Sequence, residues 1–202
     1  MSLYNLSLHL AHVGHYEQAL NVIQESMDLH RQLAADCPSV FNPDLAGSLH
    51  SLSMCLAHFG HHEQALVVIQ ESVNLHQQLA TDCSSFNPDL ARSLSNLSLS
   101  LVHCGHHKQA LSVIQEAVNL HQQLVAEFPS AFNAEFTWSL HNLFVCLAHC
   151  GCHEQVLVVI QESVACTDNL QQTALLPSMQ DLQGHFTTSL WILPVLINMS
   201  RH

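Results

Sequence analysis

Eighteen histidines in a chain of 202 residues are a large stock of groups that ligate metals or exchange protons near neutral pH. Ten of them gather in four short runs: HVGHY from His12, HFGHH from His58, HCGHH from His103 and HCGCH from His149. A pair such as His58 and His62, or His103 and His107, is four residues apart and can present two ring nitrogens to one side. His149, Cys150, Cys152 and His153 look most like a soft-metal set. Against a dedicated site, every run contains a glycine of the kind that ends a helix, so its members need not converge. No Cys-x2-Cys pair and no second His-x3-His half completes a ligand set, and Cys150-Gly-Cys152-His153 is one residue short of the haem-attachment motif. The expectation is no resident metal and no cofactor, with adventitious uptake of zinc, nickel or copper. Catalysis finds no better footing. A phosphate-binding glycine loop, a Gly-x-Ser-x-Gly elbow and a His-Glu-x-x-His helix are all missing. Thiols and imidazoles recur along the chain, whereas an active site occurs once. The chain reads as not an enzyme.

What positions these runs is a segment written four times. The cleanest copies are LHSLSMCLAHFGHHEQALVVIQESVNLHQQL from Leu49 and LSNLSLSLVHCGHHKQALSVIQEAVNLHQQL from Leu94, with others from Leu3 and Leu140. Their central glycines are Gly14, Gly60, Gly105 and Gly151, a period of 45–46 residues. Such a period marks an array of supersecondary units, each burying its apolar face on a neighbour. Leucines three and four apart (Leu49, Leu52, Leu56; Leu94, Leu97, Leu101; Leu140, Leu143, Leu147) form one helical stripe. The glycine then ends the helix, and a second helix carries Ala65, Val68, Ile69, Ser72 and Val73 or their counterparts. Between copies, FNPDLA at 41–46 and 86–91 offers Asn42 and Asn87 as N-caps, with Pro43 and Pro88 first in the helix. Asn133 and Glu135 stand there in the last copy. Nothing alternates with period two for long. The class is all-α.

Composition narrows the partners. Charged residues are 10% of the chain against a usual ~25%, only four are Lys or Arg, and the formal net charge is -12. That excludes nucleic acid and disfavours an anionic membrane surface. Residues 190–199 are apolar but broken by Pro194 and too short to span a bilayer. The start lacks a basic n-region and a cleavage site, so the eight cysteines read as mostly reduced thiols and the localisation as cytoplasmic.

Leu-x2-Leu-x3-Leu followed by Gly-x4-Ala-x3-Ile and a small residue resembles the tetratricopeptide repeat. Leu49, Leu52, Leu56, Gly60, Ala65, Ile69 and Ser72 stand at its signature positions, as do Leu94, Leu97, Leu101, Gly105, Ala110, Ile114 and Ala117. The unit exceeds the usual ~34 residues, as in kinesin light chains, and FNPDLARSL is similar to the long arrays of large fungal multidomain proteins. HEAT and armadillo repeats share the period but not the glycine with alanine five residues on. The resemblance implies a right-handed α-solenoid of antiparallel helix pairs over residues 2–172, with repeats near 2–40, 41–85, 86–131 and 132–172. Residues 173–202 are irregular, with a degenerate fifth first-helix suggested by Ser189, Leu190 and Leu193. Neither end offers a polar cap, which leaves open a longer array or self-association through the ends.

In that family the first helix of each pair lines a concave groove for a peptide or helix. Carried onto this chain, the groove positions are Tyr4, Leu8 and His12; His50, Met54 and His58; Leu99 and His103 beside Asn96; and Trp138, His141, Val145 and His149 beside Asn142. Chaperone-binding members clamp a carboxylate with basic groove residues, and only Arg92 is basic here. The resemblance therefore implies a scaffold for a protein or peptide that is neutral or basic rather than acidic. Two alternatives stay open. One is a metal- or pH-responsive histidine array. The other is a degenerate gene copy, in which decay of CpG codons has turned the arginines of related GRREEAL turns into histidine, cysteine and glutamine.

Overall fold

The computed structural model describes residues 6–7, 9–10, 13–152, 155–156 and 158–159. Six helices are complete in that range: α1 (Tyr16–Asp36), α2 (Pro38–His58), α3 (His62–Asp82), α4 (Asn87–His103), α5 (His107–Glu127) and α6 (Pro129–His149). A short 3-10 turn, Ser84–Phe86, precedes α4. Each helix packs on the one before and the one after, and α4 also reaches α2 and α6. The result is an all-α solenoid of helix pairs, with no strand among the described residues.

The repeated apolar positions build its core. Ala19, Ala65 and Ala110 are fully buried, as are Ile23, Ile69 and Ile114 one turn later on α1, α3 and α5. They receive Leu49, Leu94 and Leu140 from α2, α4 and α6, which are likewise buried. Alanine at the crossing lets the two backbones approach, while each buried Leu or Ile contributes about 1.5–3 kcal/mol. The glycines act as the sequence requires. Gly60 has φ +79° and Gly105 φ +80°. Around Gly60, His61 N–H donates to Leu56 C=O at 2.9 Å and Gly60 N–H to Ala57 C=O at 3.0 Å, the two bonds of a Schellman motif.

The expected helix starts need correction. Asn42 and Asn133 are not caps but lie inside helices, because α2 and α6 begin earlier, at Pro38 and Pro129. Proline at the first helical position has no N–H to waste and a preset φ, so it starts the helix directly after the preceding one ends. Pro43 then falls within α2. In the lead-in to the third repeat Ser84 replaces that proline and the linker is one residue shorter. The chain takes a 3-10 turn instead, and α4 starts at Asn87 with Phe86, not Asn87, at the cap. None of these starts has a side-chain cap bond. The expected fifth first-helix near Leu190 lies outside the described residues.

Candidate partner-binding groove

The proposed groove positions fall on α2, α4 and α6, the first helices of three successive repeats. Tyr4, Leu8, His12 and His153 lie outside the described residues. Met54, Leu99 and Val145 share one register; Met54 is 52% exposed, and the other two are half-buried. His58, His103 and His149, one turn on, are exposed. Trp138 lies flat near His141 at a centroid distance of 5.8 Å, and His141 near Phe144 at 6.4 Å.

His50 and Asn96 are occupied with each other rather than with solvent. His50 is buried, its Nδ1 lying 3.1 Å from Ser93 Oγ, while Asn96 Nδ2 donates to its Nε2 at 3.1 Å. Burial first, then the charge of Arg92 and the neighbouring His76, lowers the His50 pKa to about 3. Asn142, the counterpart of Asn96, is fully buried and neither end of its amide has a hydrogen-bond partner. The cause is one substitution in the repeat. Ser95 stands where His50 stands one repeat earlier, and its short side chain bonds Ser139 Oγ at 2.7 Å instead. A buried amide with nothing to bond costs about 1–3 kcal/mol. Asn142→Leu is accordingly expected to leave stability unchanged or raise it by about 1 kcal/mol, measured as the urea midpoint. A loss of several kcal/mol would show that the amide is bonded after all.

The glycine-turn histidines pair between repeats, not within a turn. His62 at the start of α3 stacks on His103 at the end of α4, with centroids 4.4 Å apart and rings inclined 12°. His107 and His149 repeat the arrangement across α5 and α6, at 4.7 Å and 1°. Stacked rings point their nitrogens in parallel rather than at a common ion. Among the described residues no group of three or more His, Cys, Asp or Glu could hold a metal. Cys150 Sγ reaches His107 C=O at 3.5 Å, and every described cysteine is a free thiol. Burial raises Cys55 and lifts Cys146 to about 12, so both stay protonated and poorly nucleophilic.

A second set of histidines escaped the sequence reading. His30, His76 and His121 sit on the second helices, and each bonds a serine of the next first helix: Ser48 at 2.8 Å, Ser93 at 2.9 Å and Ser139 at 2.8 Å. Each of the three junctions thus carries one imidazole–hydroxyl seam. The signal was present, since histidine and serine recur 17–18 residues apart in each copy. Burial lowers the pKa of His76 and takes that of His121 to about 4. On the outside, Arg31 of α1 forks onto both carboxylate oxygens of Glu71 of α3 at 2.7 Å.

Comparison with known proteins agrees with this architecture. The tetratricopeptide-repeat profile matches residues 90–129. The profile described as anaphase-promoting complex subunit 5 matches residues 1–37, 42–91 and 120–189, more than half of the chain. Among solved structures, a kinesin light chain-type protein of Podosopora anserina with nearly identical TPR-like repeats is 17% identical. That match covers 87% of this chain and 76% of that one, with a TM-score of 0.64. BtubC (BKLC) from P. vanneervenii is 14% identical over 87% of this chain and 65% of its own, with a TM-score of 0.67. The apo form of RapI is 12% identical over 92% and 66%, with a TM-score of 0.69. At such identities the likeness is one of fold, and the chain spans just under two thirds of BtubC and RapI. No curated protein sequence matches. The chain belongs to the tetratricopeptide-repeat proteins and, through the profile covering more than half of it, to the repeat family described by anaphase-promoting complex subunit 5.

Proposed function

We propose that the chain is a non-catalytic scaffold of the cytoplasm that holds a peptide or helix of another protein against its first helices. The observation that carries this reading is the row Met54, Leu99, Val145, one apolar side chain per repeat at one register, with Met54 openly exposed. A row of that kind suits the apolar face of an amphipathic helix or the alternate side chains of an extended segment. Charge supports a neutral or basic guest: Asp44, Asp89 and Glu135 also recur at one register, and the chain has only four Lys and Arg. The family profile names a subunit of a complex, which accords with docking inside an assembly.

The test is a triple variant, Met54→Asp, Leu99→Asp and Val145→Asp, set beside Val67→Asp on α3, a second-helix position 70% exposed. Proteins bound by the wild-type chain should be lost from the triple variant and kept by Val67→Asp, with helical signal and cooperative unfolding intact in both. Equal retention would remove the groove from the account. A pH-responsive array is the second reading, and the stacks His62–His103 and His107–His149 favour it. Doubly protonated rings at those distances repel, so acid should part the turns, and unchanged imidazole spectra down to pH 5 would dismiss it.

A further inference from the structure

A cavity of about 350 Å³ opens between the N-terminal halves of α2 and α4. His30 of α1, Asp44, Gly47 and His50 of α2, His76 of α3, and Asp89 and Arg92 of α4 line it. The volume is at the low end of the ~300–1,000 Å³ of ligand pockets, enough for one long side chain rather than a folded segment. Gly47 is among its lining residues and adds no side chain to it. The same register carries Arg92 one repeat later and Trp138 after that, both bulky.

The floor is polar but uncharged. Ser93 Oγ lies 3.1 Å from His50 Nδ1 and 2.9 Å from His76 Nδ1, so one hydroxyl ties both rings. Both imidazoles are held below their ordinary range, chiefly by burial. The groups facing the space besides those two rings and Ser93 are then two carboxylates, one guanidinium and the imidazole of His30. Arg92 contacts Asp89 through a single nitrogen at 3.3 Å, and both partners are half exposed, a pairing worth little. Among the described residues Asp44 takes part in no ion pair. An unneutralised carboxylate therefore stands at the mouth of a socket, on a chain whose formal charge is -12.

We propose that this cavity is the socket for a lysine or arginine side chain of the bound partner, seated on Asp44 and shared with Asp89. The proposal rests on the scaffold reading and names the chemistry of one anchor within it. Arg92 is then a competitor of the guest, and this gives the socket an unusual signature. Removing a cation from the protein strengthens binding.

The probe is Nα-acetyl-arginine amide, titrated into the full chain while the imidazole, guanidinium and methyl resonances are followed by NMR. Saturable shifts are expected at His30, His76 and Arg92, with a Kd on the order of a millimolar. Nα-acetyl-glutamate amide should produce none. Asp44→Asn should weaken the arginine probe roughly tenfold, the scale of one charge-assisted hydrogen bond, and Arg92→Gln should tighten it. Both positions are at the surface, and an unchanged thermal midpoint certifies each variant. Silence with the arginine probe, a response to the glutamate probe, or weaker binding in Arg92→Gln would each overturn the socket. Shifts confined to Met54 and Leu99 would overturn it too, while leaving the groove reading in place. If the triple groove variant retains every partner yet the probe still fills the cavity, the groove reading fails and the socket survives.

Discussion

Lowering the pH from 7.5 to 5.5 is expected to destabilise the folded chain by roughly 2–3 kcal/mol through His50 and His121, with His76 acting in the same direction. All three are buried at the junctions between repeats. Burial is the first cause of depression in each. At His50 and His121 the Arg92 charge adds to it, and at His76 Asp89 opposes it. An unfolded histidine titrates near 6.5, whereas in the fold His50 does so at about 3 and His121 at about 4. Between those values the unfolded state binds more protons, so stability rises with pH across the window. It is fully present above about 6.5 and drains away as the pH falls through that value, at up to ~1.4 kcal/mol per unit for each group. At pH 5.5 His50 and His121 have each lost about 1 kcal/mol, and the loss at His76 has the same sign. Urea unfolding followed by far-ultraviolet circular dichroism at the two pH values measures it. Equal stabilities would mean that these rings accept protons in place, and the seams would have to be abandoned.

Leu97→Ala is expected to cost roughly 2–5 kcal/mol, the price of a cavity in a core that collapses poorly. Leu97 is 2% exposed in the core cluster that joins α3, α4, α5 and α6. An array transmits such damage, because each repeat is held by its neighbours and the fault lies in a middle one. The converse variant, Ala110→Leu, should overpack the crossing of α4 and α5 by ~1–3 kcal/mol, since Ala110 has no exposed surface. A urea midpoint unchanged in Leu97→Ala would show that the leucine stripe has been phased wrongly.

The parts legible in sequence were those fixed by backbone periodicity. Leucines three and four apart gave the buried face of α4, and Gly105 marked its end because only glycine takes the positive φ that a Schellman close needs. The caps were misread, since Asn42-Pro43 looks like a helix start and the better start, Pro38 following the end of α1, lies five residues earlier. Side-chain pairing between repeats was harder to see. His62 meets His103, 41 positions away, only because the turn reverses the chain and the next repeat stacks alongside. His76 reads as an ordinary polar position on α3 until Ser93 is known to face it. Asn142 looked like a ligand-binding asparagine, and whether it has a partner depends on residue 95 of the preceding repeat.

The claim that most needs testing is that partners bind along the first helices. A photo-cross-linking amino acid placed at Leu99 on α4, and separately at Val67 on α3, reads this out residue by residue in cells. Discrete adducts at Leu99 that are absent at Val67, and that vanish when Met54 and Val145 are made acidic, are the predicted result. Adducts equal at the two positions, or found only at Val67, would contradict the account.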